Sequence, residues 1–300
     1  MTPIPPSPSS HPTEGFSVVS LDCGIYVIGG FRKRKYSSYS DSRSSSVLHL
    51  DCQTHTWRQV PSMKVARCKA AAGVVDGKIY VFGGCKYNET YGEVFDPKTQ
   101  TWTPLPPVRD SLKPDLLFRN SMVVGEKIYA VPFSNPPNLL YYSPNKGIWG
   151  RGMKDINVSM IGTTSYCFSK AENVLYSCDD LGNVFWREPE DSEWKKVKEG
   201  LGAQHNYFDK PMASIIWDTA PCDELFKGYS KVLRNFGTNI LIFWFKYNRK
   251  NTKVDIWCAE ISFERRHDIG EIVGKTEWLQ PVAEVKGHHV KVLHSAYVNV

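Results

Sequence analysis

The clearest pattern of apolar and polar positions lies between residues 75 and 102, and it predicts a four-stranded antiparallel unit. An apolar run ends at Asp76-Gly77, and an alternating strand follows it and stops at the paired glycines Gly83-Gly84. Two shorter strands come next, which are joined through Asp96-Pro97 and end at Trp102. A sheet of this size cannot bury both of its faces by itself. How those faces are buried depends on whether the chain repeats the unit.

The chain does repeat this unit. The segments 51–57 and 96–102 share the pattern D-x-x-T-x-T-W, and their two tryptophans lie 45 residues apart. The third unit keeps the strand Lys127-Ile128-Tyr129 but has Pro132-Phe133 where the glycine pair is expected. We predict repeats at about 16–60, 64–106, 117–151, 158–198 and 229–282, after a disordered Pro/Ser-rich leader at 1–15 and before a single C-terminal strand at 288–300.

Four-stranded units of about this length bury their faces when they pack radially against one another, so the predicted fold class is an all-β propeller with about five repeats and an incomplete sixth blade. Each repeated residue then has a role in the scaffold. Glycines permit positive φ and close backbone approach, and the large aromatic rings fill the space between blades. The residues assigned to this scaffold are Gly29, Gly30, Trp57, Gly83, Gly84, Trp102, Trp149, Trp194 and Trp278.

Composition limits the possible functions. Of 300 residues, 41% are hydrophobic, 23% are charged and 13% are aromatic, which is typical of a globular chain and, with few helix-forming stretches, of a β-rich one. A net charge of +6 is too modest to indicate nucleic-acid binding. The N-terminus lacks the features of a secretory signal, the apolar run Ile240 to Phe245 is too short to cross a membrane, and the eight cysteines are scattered. We therefore expect reduced thiols and a cytoplasmic or nuclear protein without nucleic-acid or membrane partners.

No pattern typical of an enzyme is complete. The adjacent His288 and His289 point to opposite faces if they lie on a strand, so they do not form one metal site. The segment Ser177 to Gly182 approaches an Asp-box, but its glycine lies one position late. An E-x-x-x-D-x-x-x-H iron motif would begin at Glu264 and Asp268 but has Ile272 in the third position. We predict no catalytic residue, no metal and no cofactor.

The glycine pair, the I-Y-V strand before it and the spaced Tyr and Trp residues resemble the kelch repeat. The resemblance extends to plant F-box/kelch-repeat proteins and covers about residues 12 to 300. The segments that carry it are Val65-Ala66-Arg67, Val75 to Val81, Glu93 to Trp102, Ile256 to Ile261 and Glu264-Arg265-Arg266. The fold class is accordingly expected to be a kelch-type β-propeller.

This resemblance implies a function. In that family an N-terminal F-box docks on the adaptor of a cullin-RING ubiquitin ligase, and the propeller selects the protein to be ubiquitinated. Here only fifteen Pro/Ser-rich residues precede the first expected strand, which leaves no room for an F-box. The leading hypothesis is a noncatalytic protein-interaction module derived from such receptors. The alternatives are a ligase substrate receptor whose F-box is missing only from this sequence, in which case the cullin-ligase adaptor is a partner, and, more remotely, a propeller enzyme.

Basic and tyrosine residues follow the second strand of several units, where loops are expected. If the units stack as proposed, these loops share one face, which would suit an acidic or phosphorylated protein segment. The alternative is that they are ordinary solvated loop residues. The predicted partner-binding face comprises Arg32, Lys33, Arg34, Lys35, Tyr36, Arg67, Lys86, Tyr87, Lys246, Tyr247 and Arg249.

Overall fold

In the computed structural model the described residues form mainly β-strands, and the chain divides into two compact units. The units are formed largely by Thr2–Lys154 and Asp155–Ser295. The structure describes residues 14–31, 43–86, 90–109, 112, 117–132, 139–152, 165–169, 173–178, 183–189, 191, 193–199, 232–248 and 253–286.

The N-terminal unit contains three four-stranded antiparallel sheets, each made of four consecutive strands. The first sheet is formed by β1 (Ser17–Leu21), β2 (Gly24–Ile28), β3 (Val47–Asp51) and β4 (Thr56–Val60). The second sheet is formed by β5 (Ala71–Val75), β6 (Lys78–Phe82), β7 (Gly92–Asp96) and β8 (Thr101–Pro104). The third sheet is formed by β9 (Phe118–Val124), β10 (Lys127–Pro132), β11 (Leu140–Ser143) and β12 (Ile148–Arg151). A 3-10 turn at Pro144–Lys146 joins the last two strands.

The second sheet is buried on both faces, and β6 shows why its sequence is nearly all apolar. Ile79 and Val81 point into a core shared with the first sheet. Tyr80 and Phe82 point into a second core, shared with the third sheet. Because successive strand residues face opposite sides, a strand between two cores needs apolar residues at every position.

The C-terminal unit contains two sheets around one core. The fourth sheet comprises β13 (Ser165–Ser169), β14 (Val174–Cys178), β15 (Val184–Arg187) and β16 (Lys195–Lys196). The fifth sheet comprises β17 (Lys198–Glu199), β18 (Val232–Phe236), β19 (Asn239–Asn248), β20 (Lys253–Arg266) and β21 (Glu271–Lys286). Tyr176 and Trp186 of the fourth sheet share a core with Ile242, Trp244 and Ile261 of the fifth. The ring of Tyr176 also stacks on Phe263 at 4.4 Å.

The fifth sheet differs from the predicted four-stranded unit. It has five strands, and β17 pairs in parallel with β21 through Lys198 and Val273. The β20–β21 hairpin is also long, with strands of 14 and 16 residues. No glycine or proline lies between Ile261 and the turn near Gly270, and the hairpin continues past Asn239, the first residue of β19.

The paired glycines adopt the conformations that the sequence predicts. Gly29, Gly30, Gly83 and Gly84 all have positive φ. A Cβ atom on Gly29 would lie 2.5 Å from the carbonyl oxygen of Arg67, and one on Gly84 would lie 2.5 Å from that of Cys68. Only glycine combines this backbone conformation with so close an approach.

The described residues form five sheets, in agreement with the prediction of about five repeats. The predicted leader at 1–15 lies outside the described residues except at its end, and so does the predicted C-terminal strand at 288–300. Within the described part of the chain, no helix has the length and apolar character needed to span a bilayer.

Candidate partner-binding face

One described residue of the predicted face, Lys86, lies at the start of the loop at residues 84–90, which we call the second loop. Gly84 and Cys85 are buried, and Lys86 directly after them is exposed. The first loop, residues 31–43, follows Gly30 in the preceding sheet. Of the predicted face, Arg32 to Tyr36, Tyr87 and Arg249 lie outside the described residues and remain predictions.

Lys246 and Tyr247 are not loop residues, which corrects the sequence-based assignment. Both belong to β19, where they pair with Asp255 and Val254 of β20. The apolar run ends at Phe245, but no glycine or proline lies between that residue and Lys253. Because β20 supplies backbone partners as far as Lys253, the strand continues to Asn248.

Arg67 was also predicted to contact a partner, and the structure places it in the interior instead. It is 1% exposed. Its guanidinium donates hydrogen bonds from Nη1 to the carbonyl oxygens of Gly83 and Tyr91, both at 2.8 Å, and from Nη2 to that of Thr90 at 2.7 Å. A side chain used in this way cannot reach a partner, so we remove Arg67 from the proposed face.

Glu93 balances the buried charge of Arg67. The Nη2 to Oε1 distance is 2.9 Å, and the two side chains are 1% and 0% exposed. The carboxylate also accepts hydrogen bonds from the backbone N–H groups of Lys64 at 2.7 Å and Val65 at 3.1 Å. These contacts pair the buried charge, although Nε of Arg67 has no hydrogen-bond partner among the described residues, and they tie β7 to the connection between the first two sheets.

The backbone of Arg67 bonds to the two residues that flank the first loop. Its N–H donates to the carbonyl of Ser44 at 2.9 Å, and its carbonyl accepts from the N–H of Gly30 at 2.8 Å. Gly30 immediately precedes the first loop and Ser44 immediately follows it. Arg67 therefore contacts the bases of both loops, one through its backbone and the other through its side chain.

The comparison with protein families agrees with these sheets and glycine pairs. The family described as FKB95, Kelch-repeats domain, matches residues 1–283 of this chain. The chain belongs to this kelch-repeat family. The predicted fold class, an all-β kelch-type β-propeller with about five repeats, is thereby confirmed.

Several kelch relatives come from Arabidopsis thaliana. One, named "Putative F-box/kelch-repeat protein", is 33% identical over 304 residues, which cover 88% of this chain and 75% of the relative. Another, named "F-box/kelch-repeat protein", is 34% identical over 278 residues, which cover 91% of this chain and 64% of the relative. A third of the same name is 33% identical over 301 residues, covering 93% and 67%. The chain thus spans between about two thirds and three quarters of these relatives.

The closing tryptophans of the kelch units have unequal roles. Trp102 and Trp149 pack in the cores between neighbouring sheets, the second of them against Phe82 at 5.0 Å. Trp57 and Trp194 are half-buried, and the Trp194 ring receives the guanidinium of Arg187 at 5.2 Å. Trp278 donates its indole N–H to Glu260 within its own hairpin. Packing between sheets is therefore seen for Trp102 and Trp149.

Few described residues have features of a reactive site. Burial raises the pKa of Cys167 and of Cys258 to about 12, which makes both thiols poor nucleophiles. Among the described ranges, no group of three His, Cys, Asp or Glu side chains could hold a metal ion.

Sequence reasoning missed Glu93 and its link to Arg67. The signal was present in the repeat, because Glu93 aligns with Leu48 when the two D-x-x-T-x-T-W segments are superimposed. A carboxylate at a position that is apolar in the neighbouring repeat indicates a buried partner of opposite charge.

Proposed function

We propose that this chain is a noncatalytic protein-interaction module whose basic loops bind an acidic or phosphorylated segment of another protein. The observation that carries the proposal is the joint anchoring of both loops on one buried residue, Arg67. Loops fixed on a rigid scaffold are common binding elements. The first loop contains Arg32 to Lys35 and the second contains Lys86, and such cations form charge-assisted hydrogen bonds with carboxylates and phosphates.

The test reverses charge at Arg32, Arg34 and Lys86 together, each to Glu. Binding is measured by fluorescence anisotropy with labelled peptide libraries, one rich in Asp and Glu, one containing phosphoserine and one neutral. We expect the wild type to prefer the charged libraries, and the variant to bind them at least about tenfold more weakly with an unchanged melting temperature.

A matched control separates this face from the overall charge. Lys146, Lys196 and Arg266 are exposed and lie away from both loops in sequence. Changing these three residues to Glu alters the net charge by the same amount. We expect this control to bind like the wild type, and equal losses in the two triple variants would remove the proposed face.

A second candidate function is substrate recognition for a cullin-RING ubiquitin ligase. Its support is the name of the relatives and the fraction of their length, 64% to 75%, that this chain spans. An in-frame Leu-rich F-box segment in the coding sequence upstream of Met1 would favour this function, and a stop codon there would contradict it. Pull-down of the ligase adaptor by the full coding product tests it directly.

A further inference from the structure

We infer that Arg67 is a positioning residue of the partner-binding face, whose side chain holds the second loop in place while its backbone holds the first. This inference deepens the proposed function and rests on it. Arg67 then affects partner binding through the loops that it anchors, and it does not contact the partner itself.

The side chain of Arg67 bonds to both ends of the second loop. Gly83 precedes this loop, and Thr90 and Tyr91 lie at its end. One backbone hydrogen bond joins these ends, from the N–H of Gly83 to the carbonyl of Tyr91 at 2.9 Å. The guanidinium adds bonds of 2.7 to 2.8 Å to carbonyls on both sides. Because its donors form a planar, rigid fork, Arg fixes the spacing of these carbonyls in a way that the single ammonium of Lys cannot.

The backbone of Arg67 bonds to the residues that flank the first loop, and these bonds do not depend on the side chain. The bonds to Ser44 and Gly30 come from the N–H and carbonyl of residue 67. They persist with any side chain at that position, except proline. The two loops therefore respond differently to a substitution of Arg67.

The buried ion pair is not required to build a sheet of this kind. The strand registers pair Ile25 with Leu50, Ile79 with Phe95 and Ile128 with Tyr142, which aligns Glu93 with Leu48 and Leu140. Both leucines are buried, at 5% and 0% exposure. An apolar residue thus fills this position in the first and third sheets, and a buried ion pair is seldom more stabilising than well-packed apolar residues. The effect particular to Arg67 and Glu93 is the geometry of the loops.

The first experiment is Arg67→Lys, analysed by hydrogen exchange and mass spectrometry without any partner. Lysine keeps the charge opposite Glu93 but loses most of the bonds to the second loop. We expect exchange in peptides covering residues 83–92 to accelerate at least about tenfold, and exchange in peptides covering 28–46 to stay unchanged. Equal acceleration in both regions would indicate general destabilisation, and unchanged exchange at 83–92 would also overturn the inference.

The matched control is Arg151→Lys in the third sheet. Arg151 donates from Nε to the carbonyl of Leu112 at 2.6 Å, so it too bonds a connecting segment. We expect this variant to leave exchange at residues 83–92 as in the wild type. Acceleration there would mean that the second loop responds to any loss of an arginine in this unit, and would contradict a specific role for Arg67.

A double variant, Arg67→Leu with Glu93→Leu, removes the bonds without leaving a buried charge. It imitates the apolar side chains of the neighbouring sheets, so we expect it to fold and to accelerate exchange at 83–92 as Arg67→Lys does. Binding of the acidic and phosphoserine libraries should weaken at least about fivefold. Wild-type affinity in this variant would overturn the inference, whereas a wild type that binds no library would overturn the proposed function and leave the exchange result to decide on the role of Arg67.

Discussion

The indole N–H of Trp102 donates a hydrogen bond to the carbonyl of Pro61, at a distance of 2.8 Å. Trp102 closes the second sheet, and Pro61 immediately follows the last strand of the first. The same relationship recurs one repeat later, where Trp149 donates to Pro106 at 2.7 Å. The repeated tryptophan therefore ties its own sheet to the end of the preceding one, in addition to filling the core.

The first prediction follows from this bond. Trp102→Phe keeps an aromatic ring but removes the donor, and Trp102 is 5% exposed. We expect the free energy of unfolding to fall by about 1–3 kcal/mol, because both the hydrogen bond and some packing are lost. Urea denaturation measures this. Trp149→Phe is the comparison: its bond is exposed to solvent, so its loss should be smaller, and the reverse order would contradict the argument.

The second prediction separates backbone conformation from steric contact at two glycines. Gly84 and Gly77 both have φ of +69°, but a Cβ on Gly84 would lie 2.5 Å from the carbonyl oxygen of Cys68, whereas one on Gly77 would meet nothing within 4 Å. Gly77→Ala should cost about 1 kcal/mol, for the strained φ alone. Gly84→Ala should cost at least about 2 kcal/mol more, because backbone atoms must also move. Similar denaturation midpoints for the two variants would show that the site adjusts without cost.

The third prediction concerns pH and His49, which is 8% exposed and accepts a hydrogen bond at Nδ1 from Nε of Arg58 at 3.1 Å. Burial, and secondarily the charge of Arg58, lower the pKa of His49 below its usual value, although Asp51 acts in the opposite direction. The unfolded chain therefore binds this proton more readily than the folded chain does. Stability should fall as the pH decreases through about 6.5, the ordinary value for histidine.

The matched variant for this prediction is His49→Gln, which retains an acceptor for Arg58 but does not titrate. Its free energy of unfolding should depend less on pH between about 7.5 and 5 than that of the wild type. Equal slopes in the two proteins would show that His49 contributes nothing to the pH dependence.

The fourth prediction concerns the order in which thiols react with iodoacetamide. Cys23 and Cys52 are half-buried, whereas Cys167 and Cys258 are buried and have pKa values raised to about 12. At ~pH 8 the first pair should be alkylated well before the second, which should react only after unfolding in urea. Peptide mass spectrometry gives each rate, and early labelling of Cys167 in the native protein would contradict this order.

The sequence predicted the repeated strands because each one is bounded by a local signal, such as Asp76-Gly77 or Gly83-Gly84. It did not predict the burial of Arg67. An arginine before a strand is usually exposed, and its partner Glu93 lies 26 residues away on another strand. Lys246 and Tyr247 were misassigned for a different reason: whether β19 continues depends on how far β20 extends beside it. The length of such a hairpin is set by the pairing of its two strands, which the sequence of either strand alone does not show.

The parallel pairing of β17 with β21 has a consequence for the order of folding. Each of the first three sheets consists of consecutive strands, so it can form as soon as its last strand leaves the ribosome. The fifth sheet joins Lys198 to Val273, about 75 residues later in the chain, and closing so large a loop is slow. Assembly of the fifth sheet is therefore expected to come last, and translation that stops before residue 273 would leave β17 without its partner strand.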